Sequence, residues 1–231
     1  MKINAEFDKR VVVHSEDLEW IASPMAGVFR RPLDRVGGEV ARATTIVKYD
    51  AGSHFSPHVH TGGEEFIVLD GVFQDEHGDF PVGSYIRNPP QSSHTPGSEP
   101  GCVIFVKLWQ FDMEDRTHVR LNMNHMGPVP HKNFDGVSVT PLYTDDYEEV
   151  SLFTLEPNAI LTLDTENGAE LLVLEGEAEE SGDALKKHSW LRTPQGGNIN
   201  ARAGANGARL WIKTGHMNRV HAEAERALNA S

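Results

Sequence analysis

One cysteine, Cys102, stands in 231 residues, which excludes an intramolecular disulfide and any metal site built on a thiolate cluster. A metal in this chain must rest on histidine and carboxylate. Cys102 opens the apolar run Cys102-Val-Ile-Phe-Val, so a small buried hydrophobe is expected there rather than a reactive thiol. Basic residues are few as well. The 21 Lys and Arg against 34 Asp and Glu give a formal net charge of −13, and no stretch gathers them, so the field of the molecule repels phosphate backbones. Nucleic acid is not an expected partner. No uncharged apolar run is long enough to cross a bilayer, and the first ten residues lack the apolar core of a secretion signal. A cytoplasmic protein without a membrane partner is the expectation.

What is present is ordinary for a folded globular chain: 39% hydrophobic and 24% charged residues. The length allows one large domain or two of common size. Helical periodicity is scarce, whereas short runs rich in Val, Ile, Phe and Thr recur between Gly, Pro, Asn and Asp. The pattern predicts an all-β fold with strands at Val40–Tyr49, Glu65–Phe73, Ser84–Asn88, Val103–Trp109, Glu149–Leu155, Glu170–Gly176 and Arg209–Lys213. Only Asn218–Ala230, rich in Ala and Glu, predicts a helix.

The chain repeats itself. Glu65-Phe-Ile-Val-Leu-Asp-Gly71 is answered 105 residues on by Glu170-Leu-Leu-Val-Leu-Glu-Gly176, and Tyr85-Ile-Arg-Asn-Pro89 by Trp190-Leu-Arg-Thr-Pro194 at the same shift. Two copies of one β-domain are expected, at residues 1–127 and 128–231, the second carrying the short C-terminal helix.

The chemistry concentrates in the first copy. His58 and His60 lie two apart, Glu64 four further on, and His94 follows a Gly/Pro-rich passage. Residues two apart on a strand point to one face, so His58 and His60 can grip one ion, and the four residues together read as a single metal site. The shift of 105 carries these positions to Leu163, Thr165, Ala169 and either Asn198 or Ile199. None is a good ligand, so the second copy is expected to be free of metal.

The spacing from Gly52 to Gly71, G-x5-H-x-H-x3-E-x6-G, followed by Pro81-Val-Gly83 and His94, resembles the two signature motifs of the cupin superfamily. That resemblance implies two tandem jelly-roll barrels, the first holding a metal on His58, His60, Glu64 and His94. A narrower likeness covers residues 40–108. Ala41-Arg-Ala-Thr-Thr, His60-Thr-Gly-Gly-Glu-Glu, Asp79-Phe-Pro-Val-Gly, Arg87-Asn-Pro-Pro and Gly101-Cys-Val-Ile-Phe-Val-Lys-Leu resemble the cupin domain of ChrR-type anti-sigma factors. It implies a zinc-binding, regulatory or sensing barrel. No counterpart of that family's cysteine-bearing sigma-binding domain is expected in the roughly 40 residues before the cupin strands, which contain no cysteine. The same cupin type also resembles small dioxygenases that cleave diketones and dihydroxyacetophenones at iron.

From these likenesses one divalent ion is expected, zinc first, with iron, manganese or nickel as alternatives. A small-molecule ligand or substrate is expected in the first barrel, with a protein partner or a homodimer also open. Phe66 and Val68 share the strand face of Glu64 and are expected to line the barrel, while Glu65 should point away to solvent or to a domain contact. His54, at i−4 from His58, keeps strand parity and is a candidate supporting donor beside the metal. Asp75-Glu-His-Gly-Asp79 is expected to be a solvated hairpin turn. Arg87 recurs as Arg192 in the copy without ligands, which gives it a structural job.

Overall fold

The computed structural model describes residues 1–230 and is built almost entirely of antiparallel strands. Two compact units form, and neither is continuous along the chain. The first comprises Met1–Ala5, Glu19–His125 and the chain from His221; the second comprises Glu6–Leu18 and Met126–Val220.

In the first unit the order across the main sheet is Lys2–Ile3, Val28–Gly37, Ala41–Tyr49, Cys102–Leu108, Glu64–Asp75, Ser84–Asn88 and Val119–Asn122. The second repeats this plan with Val129–Pro130, Val137–Thr144, Glu149–Leu155, Gly197–Thr214, Ala169–Glu180 and Ser189–Thr193, and ends on Val11–His14. The cores follow strand alternation. Phe66, Val68, Ile86, Ile104 and Val106 fill the first barrel, and Leu171, Val173, Leu191, Leu210 and Ile212 fill the second. These pairs sit at matching positions of the repeat.

The bends are duplicated too. Gly71 has φ +68° and Gly176 φ +71°, and a Cβ at either would run into the carbonyl of Gly101 or Gly207 across the ladder. The register slips beside each of them, between Val103 and Ile104 and between Val173 and Glu175. Only glycine tolerates both the left-handed backbone and the close approach.

The termini complete edges that the central segments leave bare. Val11–His14 pairs with Ser189–Thr193, and Arg10 clamps the same unit through Glu180 at 2.5 Å and Asp183 at 2.6 Å. An added strand covers main-chain groups that would otherwise invite association. The predicted helix is Val220–Asn229, and its Glu223 reaches Arg42 of the first unit at 3.0 Å.

Strand Val28–Gly37 lay outside the strands predicted from sequence. Arg30, Arg31, Pro32, Asp34 and Arg35 mask it, and the register shifts between Pro32 and Asp34, the kind of bulge at which proline fits a strand.

Candidate metal centre

Three strand ends bring the ligands together. The two-residue strand His58–Val59 pairs with Ser93–His94 so that His58 and His94 are direct partners. His60 is held just beyond, its N–H donating to Ser92 O at 2.8 Å and its carbonyl accepting Gln91 N–H at 2.9 Å. The chain then passes over Trp109 through Gly62, where a Cβ would strike the indole ring, and Glu64 begins the longest strand of the barrel. Asn88, the register partner of Glu64, donates from Nδ2 to Glu64 Oε2 at 3.3 Å.

The three imidazoles form a propeller. Their ring centroids are 4.9, 4.9 and 4.6 Å apart with interplanar angles of 83°, 81° and 71°, and their ligand nitrogens lie within 4.8 Å of one another. Glu64 Oε2 stands 3.5 Å from His60 Nε2 and 3.6 Å from His94 Nε2. Those separations are long for hydrogen bonds. They are close to the roughly 3.4 Å that separates two donors sharing one ion at about 2.1 Å each.

Two observations test the fit to a cation. The buried Nε2 atoms of His60 and His94 have no hydrogen-bond partner among the described residues, a cost that an ion at the centre would offset. On the far side of its ring, His94 is held by Asp75, whose Oδ2 is 3.2 Å from Nδ1. An Nδ1–H donated to that carboxylate leaves the Nε2 lone pair directed inward, as metal-bound histidines require. His58, His60 and His94 can therefore hold a divalent ion, and Glu64 stands beside the two buried imidazoles.

Burial pushes the His60 pKa down, with the neighbouring imidazoles adding to the effect and Glu64 opposing it. His94 is also buried, but the hydrogen bond to Asp75 and the charges of Glu64, Asp75 and Glu76 outweigh desolvation and hold its pKa above the ordinary histidine value. For Asp75 the balance runs the other way. Desolvation is outweighed by the bonds from His94 and from the His77 N–H, and its carboxyl is held below the usual range.

Three readings from the sequence need correction. Asp75 does not sit in a merely solvated turn: it ends strand Glu64–Asp75 with its side chain only 3% exposed, against His94. The repeat held a clue, because Asp75 aligns with Glu180, an acid kept in the other copy. His54 does not support the metal; it lies at the surface with Nε2 2.9 Å from Glu99 Oε1, on a separate short strand paired with Gly97–Ser98. Glu65 does point away from Glu64, as alternation requires, yet it is buried and accepts the Tyr85 hydroxyl at 2.5 Å. In the second barrel Trp190 Nε1 makes the corresponding bond to Glu170 at 3.0 Å.

At the corresponding positions of the second copy stand apolar and hydroxyl side chains. Leu163 pairs with Ile199, so Ile199 takes the place of His94, and Ala169 replaces Glu64 within the apolar core. Thr165, in place of His60, is buried against Thr193 at 3.4 Å.

His58 and His60 open on a cavity of about 310 Å³, lined also by Glu64, Tyr49, Phe55 and Arg35. Burial, and then the Glu64 charge, push the Tyr49 phenol up, so it stays a neutral donor.

Two jelly-roll barrels with a three-histidine cluster at the mouth of the first define a cupin. Residues 8–112 match the ChrR Cupin-like domain. Solved structures with the same fold include a candidate dioxygenase from Nostoc punctiforme PCC 73102, with TM-score 0.72 and 13% identity over 89% of this chain and 82% of that one. Protein YlbA of E. coli gives TM-score 0.68 and 13% identity over 90% and 92% of the two chains. The E. coli pirin YhhW in complex with nickel(II) gives 0.63 and 13% over 89% and 98%. Identities this low carry the fold alone. No curated protein matched the sequence.

Proposed function

We propose that the first barrel is a divalent-metal centre that binds a small oxygen-bearing molecule and works as a metal-dependent dioxygenase. The observation that carries this reading is the cavity: His58, His60 and Glu64 form part of its lining, so a ligand can reach the ion, whereas a purely structural zinc site is closed by protein donors. His58, His60 and His94, with Glu64 beside them, would hold a divalent ion, which would supply Lewis-acid polarisation of substrate oxygens and, as iron, redox chemistry with dioxygen.

The protein's own groups do the rest. Asp75 fixes the His94 ring and Asn88 fixes the Glu64 carboxylate, so two ligands meet the ion with little reorganisation. Tyr49 and Phe55, edge to face at 5.1 Å, form an apolar wall that limits water beside the reacting atoms. Oxygen uptake by iron-loaded protein tests the reading, with 1,3-diketones, hydroxyacetophenones and carboxylated relatives of both as substrates. Uptake lost in His60→Ala supports it, and silence across the panel sinks it.

A second reading is favoured by the match of residues 8–112 to the ChrR Cupin-like domain: a zinc barrel that senses a ligand and signals to a protein partner. Elemental analysis of protein purified without a metal-affinity tag separates the two, because zinc supports the sensor and iron the enzyme.

A further inference from the structure

The strand that escaped the sequence reading delivers a cation to the metal cavity. At the slip between Pro32 and Asp34, Asp34 turns to the side of Arg42 and Thr44, accepting Thr44 N–H at 3.0 Å. Alternation then sends the next side chain, Arg35, to the opposite face, where it lines the cavity that holds His58 and His60. Re-aiming a side chain beside a site is a common use of a bulge.

Arg35 is only 7% exposed. Its Nη2 donates to the carbonyls of Gly38 and Glu39, and among the described residues no carboxylate oxygen lies within 4.0 Å of its guanidinium. A buried arginine is normally paired with an anion. Its neighbour in the lining, Arg30, does have one, Glu39 at 3.6 Å. Desolvation, reinforced by the Arg30 charge, lowers the Arg35 pKa, so the cation is held where it is least comfortable.

The charges in the cavity then indicate what it takes. The charged lining residues are Arg30, Arg35, Glu39 and Glu64, which cancel, and with Asp75 held against His94 a divalent ion on the histidines leaves one net positive charge. A neutral diketone would leave the Arg35 guanidinium without a counter-charge in a partly enclosed space.

Resting on the metal reading above, we propose that the ligand of the first barrel is a small dianion, one oxygen-bearing end on the ion and a distal carboxylate on the guanidinium of Arg35. Arginine suits this task because its planar fork meets a carboxylate with two parallel N–H donors. The volume of about 310 Å³ is at the low end for ligand cavities and fits a short acyl or dicarboxylic acid.

Cobalt(II) reports the two halves separately. The full-length protein is loaded with cobalt(II), and its visible absorption is followed during titration with malonate, succinate and glutarate and with the monomethyl ester of each. At least one dianion is expected to perturb the cobalt band and to bind about tenfold or more tightly than its own monoester. Arg35→Gln should remove that preference while both forms still perturb the band, and Arg35→Lys should restore part of it. Equal affinity of dianion and monoester for the wild-type protein overturns the proposal without any variant. So does an unchanged preference in folded Arg35→Gln. A cobalt band that no dianion alters leaves the metal reading standing and sinks the dianion, whereas failure of cobalt to bind sinks both.

Discussion

Leu163 faces Ile199 in the second barrel where His58 faces His94 in the first. One ladder position thus carries a ligand pair in one copy and a hydrophobic pair in the other, on the same backbone plan. The second barrel is a built-in control for what the histidines contribute.

That contrast predicts a stoichiometry. One divalent ion per chain is expected from elemental analysis, falling to a trace in His60→Ala or His94→Ala. Two ions per chain, or one that survives both substitutions, would refute the assignment.

Asp75 acts on the ion only through His94. Asp75→Asn keeps the shape but removes the charge that steadies the ring, and affinity in a chelator competition is expected to drop about 10- to 100-fold. His54→Ala, at the exposed pair with Glu99, should leave affinity unchanged. Equal losses in the two variants would show that Asp75 does not act through His94.

Protons compete with the metal for His94. Its folded pKa is raised above the ordinary histidine value of 6.5, so without metal the charged His94–Asp75 pair contributes stability that is fully present below 6.5 and lost as pH climbs through the folded value. Asp75, held low, contributes stability that is present above its ordinary 3.8 and lost only as pH falls through its depressed pKa. Metal needs neutral imidazole. The rise in Tm on adding metal should therefore be small below pH 6.5 and keep growing above it. A metal-induced rise that is flat across that range would contradict this balance.

Cys102 is 4% exposed, and burial pushes its thiol up to about 11. Alkylation at neutral pH should be slow in the native protein and fast in denaturant. Rapid modification of folded protein would show that the barrel opens there.

The C-terminal helix is tied to the first unit by a buried network in which Arg42 meets Glu223 at 3.0 Å, Asp34 at 3.3 Å and Gln110 at 3.0 Å. Glu223→Ala leaves part of that charge uncompensated. A loss of about 2–4 kcal/mol is expected, seen as a lowered Tm of the first unit, since breaking one partner of a buried pair is costly. An unchanged Tm would show that Asp34 and Gln110 suffice.

Most of the fold was legible in sequence because alternation and glycine turns are local. Ser84–Asn88 and Glu149–Leu155 were bounded as observed, and Gly71 and Gly176 marked the duplicated bend. Val28–Gly37 was not legible, because its inward arginines are justified only by a cavity built from distant strands.

The sequence by itself determined the duplication, the β architecture and the histidine pattern, all carried by spacing that survives at short range. Tertiary structure decided what stands around that pattern. It brought Asp75 to His94 from 19 residues away, exposed His54, buried Glu65 under Tyr85 and turned Arg35 toward the metal cavity. Each outcome depends on pairing between strands far apart in the chain, where burial and charge are set by neighbours that no local spacing names.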